Sequence, residues 1–173
     1  MEKAFDRMNH KLLISKLKSY GFAEPLISWF HSFITGRTQV IKYGNHLSEK
    51  INVTSGVPQG DHLSPILFCL FINDISKVVS YSKILLFADD AKIFKEIRTM
   101  DDAIKLQFDL DNIFMWCRNN DLCLNLKKCS TITFSMKKTT IILNYSLADI
   151  SLSRVSIVNI YRFFFLTTLR KEV

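Results

Sequence analysis

The sequence predicts an α+β domain, with helices packed on one face of a largely antiparallel sheet. Three observations predict it: apolar residues at helical spacing, shorter alternating apolar runs bounded by turn residues, and interleaving of the two in the order ααββαββαβββ. With 173 residues, 48% of them hydrophobic and 14 of them Phe, the chain reads as one domain with a real core.

Residues 10–20 place Leu12, Leu13, Leu17 and Tyr20 roughly on one helical face, and Gly21 ends that helix. Asp6, just upstream, is a preferred N-cap type and is expected to cap it. Pro25 opens a second helix through LISWFHSF, stopped by Gly36. TQVIKYG and KINVT alternate enough for two strands joined across Gly44 and Asn45. GVPQG interrupts regular structure, and Ser64 with Pro65 starts a strongly apolar helix expected to run to about Val79. KILLFADDAKIFKEI reads as a hairpin broken at Asp89 and Asp90. Thr99 and Asp102 have the spacing of a capping box. Behind it Ala103, Leu106, Leu110, Ile113, Phe114 and Cys117 recur at helical spacing up to Asn119 and Asn120. LCLNL, STITFS and TIILNY follow as candidate strands.

The net charge of +7 is uneven. Residues 1–122 hold 15 Lys and Arg against 14 Asp and Glu, whereas 123–173 hold 8 against 2, so the basic excess lies in the last third. It suits a polyanion such as nucleic acid, and equally a solvated basic face. Four cysteines without a C-x-x-C pair predict reduced, partly buried thiols rather than a zinc site or disulfide framework. No leader-like segment opens the chain, and its longest apolar stretch carries Asn73 and Asp74, so an intracellular protein is expected.

Two stretches carry chemistry. Adjacent carboxylates at a hairpin tip repel, and apolar runs on both sides are expected to aggravate this through desolvation. A divalent cation held by Asp89 and Asp90 would compensate, and hard oxygen ligands select Mg²⁺ or Mn²⁺. The alternative is an ordinary Asp-containing turn. In SGVPQGDHLSPILFCLFINDI, Gly56 and Gly60 permit close backbone approach, Gln59 offers donor and acceptor, and the following helix start offers N–H groups to phosphate.

In combination these stretches resemble the reverse transcriptases of non-LTR (LINE-type) retrotransposons. AFDRMNH resembles the second half of motif A, SGVPQGDHLSPILFCLFINDI motif B, FADDAKIF motif C and LCLNLKKC motif D, in family order up to about Asn159. The resemblance implies a right-hand polymerase palm at 1–160 without its fingers, followed by a divergent tail at 161–173. It implies RNA-templated DNA synthesis, with an RNA template, a DNA primer and dNTP as partners and two Mg²⁺ or Mn²⁺ ions in the intact parent. Asp89 and Asp90 match the catalytic metal carboxylates of motif C. Phe5 matches the aromatic under the incoming sugar, Gln59 and Gly60 the nucleotide-contacting pair, and Lys128 the lysine facing the leaving pyrophosphate, with Lys127 beside it. Asp61 stands where the family often has a small hydroxyl residue.

The motif A metal ligand lies five residues before the aromatic, which falls immediately before Met1, so Asp6 does not match it. A chain opening within motif A is expected to be inactive alone, and a non-catalytic nucleic-acid-binding remnant is the alternative. An intron-encoded or telomerase-type enzyme is the second reading among relatives. The tail IYRFFFLTTLRKEV departs from the family, and its FFFL run is expected to leave apolar surface exposed.

Overall fold

The computed structural model describes residues 1–135 and 141–156, together with the backbone of Phe164–Leu169. Contacts divide the chain into two compact units, Lys3–Asn73 and Met1–Glu2 with Asp74–Val173.

The first unit packs α2 (His10–Ser19) against α3 (Glu24–Ile34) and α4 (Ser64–Ile72), after a single turn, α1 (Ala4–Arg7). Leu13, Leu17, Ile27, Ile34, Leu67, Phe68 and Phe71 are all buried. The cap of α2 is Asn9, not Asp6: its Oδ1 accepts from the Lys11 N–H at 2.9 Å and the Leu12 N–H at 3.2 Å. Asn9 immediately precedes the helix, whereas Asp6 lies inside α1, so only Asn9 has the geometry to reach those N–H groups. Lys16 Nζ donates to Phe71 O at 2.7 Å and Tyr20 Oη to Leu70 O at 3.1 Å, which satisfies carbonyls at the end of α4. Between α3 and α4, β1 (Thr38–Gln39) pairs antiparallel with β4 (Ile51–Asn52). Inside that pair, β2 (Lys42–Tyr43) turns back at Gly44 and Asn45 onto β3 (His46–Leu47). The two predicted strands are thus two short exposed ladders around the expected turn. The α-helix α4 stops at Ile72, short of Val79, and continues as a 3₁₀ helix over Asn73–Val78. Asn73, Asp74 and Ser76 fall in this stretch, residue types that disfavour an α-helix interior.

In the second unit, β5 (Lys83–Phe87) and β6 (Asp90–Glu96) form the predicted hairpin, followed by α5 (Met100–Asn119). The capping box is present: Thr99 Oγ1 accepts from the Asp102 N–H at 3.2 Å and Asp102 Oδ2 from the Thr99 N–H at 3.0 Å. The buried face of α5 carries one residue that its apolar periodicity does not announce, Asp109, which is fully buried. Its Oδ1 accepts from the Ser80 N–H at 2.8 Å and its Oδ2 from the Tyr81 N–H at 2.9 Å, so the carboxylate holds the entry to β5. STITFS overlaps β7 (Cys129–Thr133), which starts one residue earlier, but 122–126 form no strand and Leu126–Lys128 is a 3₁₀ turn. Residues 141–145 form no strand either, and Thr140 lies outside the described residues. The small strands β8 (Ser146–Leu147) and β9 (Ile150–Ser151) pair antiparallel, followed by β10 (Ser153–Arg154) and β11 (Phe164–Leu169).

The main sheet has the order β10-β7-β11-β6-β5. Its β5–β6 ladder is antiparallel, but β11 runs parallel to both β6 and β7, and β10 parallel to β7. The expected largely antiparallel sheet is therefore a mixed one. The difference comes from the tail: Phe164–Leu169 inserts between two strands and runs in the direction of both. Of the four cysteines, Cys117 and Cys129 are buried, and Cys69 and Cys123 are exposed. Burial pushes the Cys117 thiol up to about 12 and the Cys129 thiol up to about 11, which leaves both inert at neutral pH.

Candidate functional site

At the hairpin, Phe87 pairs with Asp90, so the two turn residues are Ala88 and Asp89, one position earlier than predicted. Asp90 opens β6. The turn puts a positive φ of 49° on Ala88, a conformation that tight hairpin turns demand and that Gly usually supplies. The carboxylates are not pressed into an apolar setting. The Asp89 side chain is 42% exposed, and Leu85 and Phe87 on the edge strand β5 are exposed as well. Water screens the pair, and the terminal ammonium of Met1 lies beside it, donating to Asp89 O at 2.6 Å with Asp89 Oδ2 at 3.8 Å. The apolar burial expected of this pair is therefore not observed, because β5 lies at the sheet edge and leaves the turn open to water.

Among the described residues, no group of three or more His, Cys, Asp or Glu is gathered to hold a metal. Two adjacent carboxylates still fit Mg²⁺, which commonly takes one or two carboxylates and fills its shell with water and phosphate oxygen. Lys127 and Lys128 are both exposed at the end of the 3₁₀ turn before β7, and nothing in their surroundings separates one from the other.

In the other unit, the 55–60 loop is strapped to α1. The Gly56 N–H donates to Met8 O at 2.8 Å and the Val57 N–H to Phe5 O at 2.9 Å. Ser55 Oγ donates to Asp6 O at 2.8 Å, and Gln59 Nε2 to Asp6 Oδ1 at 2.7 Å. Gly56 O accepts twice at 2.7 Å, from His10 Nε2 and from Arg37 Nη2. Gly56 has φ of +76°, and a Cβ there would meet Asp6 O and Phe5 O at 2.6 Å. The close approach that this glycine permits is thus to the protein's own backbone. Gly60, at φ +93°, has open space around it. The Phe5 ring is half-buried and stacks on Phe68 with centroids 4.5 Å apart. Asp6, Arg37, Asn52, Ser55 and Gln59 line an open polar cleft of about 570 Å³.

Asp61 corrects another expectation. Its Oδ1 accepts from the Leu63 N–H at 2.8 Å and the Ser64 N–H at 2.7 Å, and Ser64 Oγ donates to its Oδ2 at 2.5 Å. The helix start read as a phosphate cradle is filled by the chain's own carboxylate. Burial alone would raise this carboxyl, but the bonds from Ser64 and Leu63 outweigh it and hold it below 3.8. A folded-state value below the unfolded one stabilises above pH 3.8, and that contribution is lost as pH falls through the folded value. Asp61→Ala is accordingly expected to lower stability at pH 7 by about 1 kcal/mol, the usual worth of an N-terminal cap. In urea melts the gap from wild type should narrow at pH 3; an unchanged gap would contradict the assignment.

The family profile described as reverse transcriptase (RNA-dependent DNA polymerase) matches residues 1–154. The probable RNA-directed DNA polymerase from transposon X-element of Drosophila melanogaster is 32% identical over 145 residues, covering 81% of this chain and 16% of the relative. The RNA-directed DNA polymerase from mobile element jockey of the same species is 29% identical over 143 residues, covering 78% and 16%. A retrovirus-related Pol polyprotein from type-1 retrotransposable element R2 of Popillia japonica is 27% identical over 145 residues, covering 77% and 23%. The chain therefore spans less than a quarter of the length of these relatives. The ordered motifs and the profile match over most of the chain agree: this chain belongs to the reverse transcriptase family, within the non-LTR retrotransposon type, and represents part of that domain.

Proposed function

We propose that this chain is the palm portion of an RNA-directed DNA polymerase, with Asp89 and Asp90 as its metal carboxylates. The observation that carries the proposal is the Asp89 and Asp90 pair at a strained hairpin turn, inside the stretch that the family profile matches. Bound there, Mg²⁺ or Mn²⁺ would supply the Lewis-acid chemistry of nucleotidyl transfer to a DNA primer on an RNA template. The chain's own groups would do the rest. Asp89 and Asp90 supply hard oxygen ligands, Phe5 packs beneath the sugar of the incoming dNTP, Gln59 and Gly60 contact the nucleotide, and Lys128 faces the leaving pyrophosphate. The basic last third supplies charge for nucleic acid.

A second function, nucleic-acid binding without catalysis, is favoured by the basic excess of residues 123–173, which hold 8 Lys and Arg against 2 Asp and Glu. For the chain alone we expect binding and no copying, because positioning and metal charge each supply several kcal/mol of such a barrier. Primer extension on an RNA template with Mg²⁺ or Mn²⁺ should equal that of the Asp89→Ala, Asp90→Ala double variant. Incorporation clearly above the double variant would overturn the inactivity and leave the enzyme reading standing alone.

A further inference from the structure

We propose that Asp6 is a positioning residue for Gln59. The inference rests on the nucleotide-facing role of Gln59 proposed above and extends it to a residue that matches no metal ligand of the family.

Asp6 holds the loop in two independent ways. Its backbone carbonyl accepts from Ser55 Oγ at 2.8 Å, and its side-chain Oδ1 accepts from Gln59 Nε2 at 2.7 Å. A carboxylate only accepts hydrogen bonds, so its partner must be the amide nitrogen, and the O/N orientation of Gln59 follows from chemistry. The Gln59 carbonyl oxygen is thereby left as an acceptor at the wall of the polar cleft that Asp6, Arg37 and Asn52 also line. An exposed glutamine samples many rotamers and presents donor or acceptor with similar ease. Fixed by Asp6, it presents an acceptor in one place before any ligand arrives, which reduces the ordering cost of binding.

The polarity of this arrangement points to a part of the nucleotide. An acceptor beside a carboxylate suits a sugar hydroxyl or a base N–H, and it disfavours phosphate oxygen through like charge. Arg37, the cation lining the same cleft, commits two of its five N–H donors to Ile34 O at 3.0 Å and Gly56 O at 2.7 Å, so it braces the loop as well as carrying charge. Asp6 with Gln59 therefore reads the neutral, donor-bearing part of a nucleotide.

Truncating the Asp6 side chain leaves the backbone straps intact, so the loop keeps its place and only the Gln59 amide is released. This separates positioning from structure. The test is titration of the full chain with dTTP and Mg²⁺, followed by ligand NMR line broadening, for wild type, Asp6→Ala, Asp6→Asn, Gln59→Ala and the Asp6→Ala, Gln59→Ala double variant. We expect Gln59→Ala to weaken binding about tenfold and Asp6→Ala about fivefold, with the double variant no weaker than Gln59→Ala. Asp6→Asn, whose Oδ1 still accepts, should recover most of the affinity. Thermal midpoints of all four variants should stay within about 2 °C of wild type, because the lost bond is solvent-exposed. Additive losses, or an Asp6→Ala variant that binds like wild type while Gln59→Ala does not, would overturn this inference alone. Unchanged binding in Gln59→Ala, or no dTTP binding by wild type, would overturn the nucleotide-facing role of Gln59 and this inference with it.

Discussion

Gly56→Ala is expected to destabilise the Lys3–Asn73 unit by about 3 kcal/mol or more, the largest effect of a Gly→Ala change in this chain. Two costs combine. The φ of +76° strains any L side chain, and the new Cβ would stand 2.6 Å from Asp6 O and Phe5 O. Both are backbone atoms, and the Phe5 carbonyl is already tied to the Val57 N–H at 2.9 Å. Relief requires the loop to leave α1, which also breaks the bonds from His10 and Arg37 to Gly56 O. Gly60→Ala provides the control: its φ is +93° but nothing lies within 4 Å, so only the backbone strain of about 1–2 kcal/mol applies. Urea unfolding of both variants measures the difference. A Gly56→Ala cost no greater than that of Gly60→Ala would mean that the loop does not sit against α1.

Asp109→Ala is expected to cost about 2–4 kcal/mol, because it orphans two backbone N–H groups in a part-buried setting. The Ser80 and Tyr81 amides have the two Asp109 oxygens at 2.8 and 2.9 Å, and the side chain is fully buried on the inner face of α5. The loss should be local as well as global. In hydrogen exchange the Ser80 and Tyr81 amides should lose protection ahead of those of β5, which they precede. Retained protection of both amides would show that Asp109 fills space rather than holding the strand entry.

What the sequence made legible was mostly local. The Thr99 and Asp102 box, the Gly21 stop and the turn at Gly44 and Asn45 each depend on residues a few positions apart, and each is present. The hairpin around FADD was legible from its two apolar runs, but its turn was displaced by one residue. The displacement has a cause: a positive φ on Ala88 is a conformation that no propensity assigns to alanine. Asp109 was missed because a carboxylate on an apolar stripe reads as the solvated edge of a helix, and its partners lie 28 and 29 residues away. The same distance effect hid the partners of the GVPQG loop. Its glycines announced a close approach, but only the fold says that α1 is what they approach. Strand direction was the least legible feature, since LCLNL alternates without forming a strand while a tail set aside as divergent pairs on both edges.

The metal role of the Asp89 and Asp90 pair is tested most directly by Mn²⁺ titration, read by the enhancement of water-proton relaxation. Wild type should bind Mn²⁺ weakly, and Mg²⁺ should compete for the site. The Asp89→Asn, Asp90→Asn double variant should lose at least about tenfold in affinity, since the two carboxylates are the anionic ligands at the turn. Equal Mn²⁺ affinity in wild type and the double variant would contradict the assignment of this hairpin as the metal site.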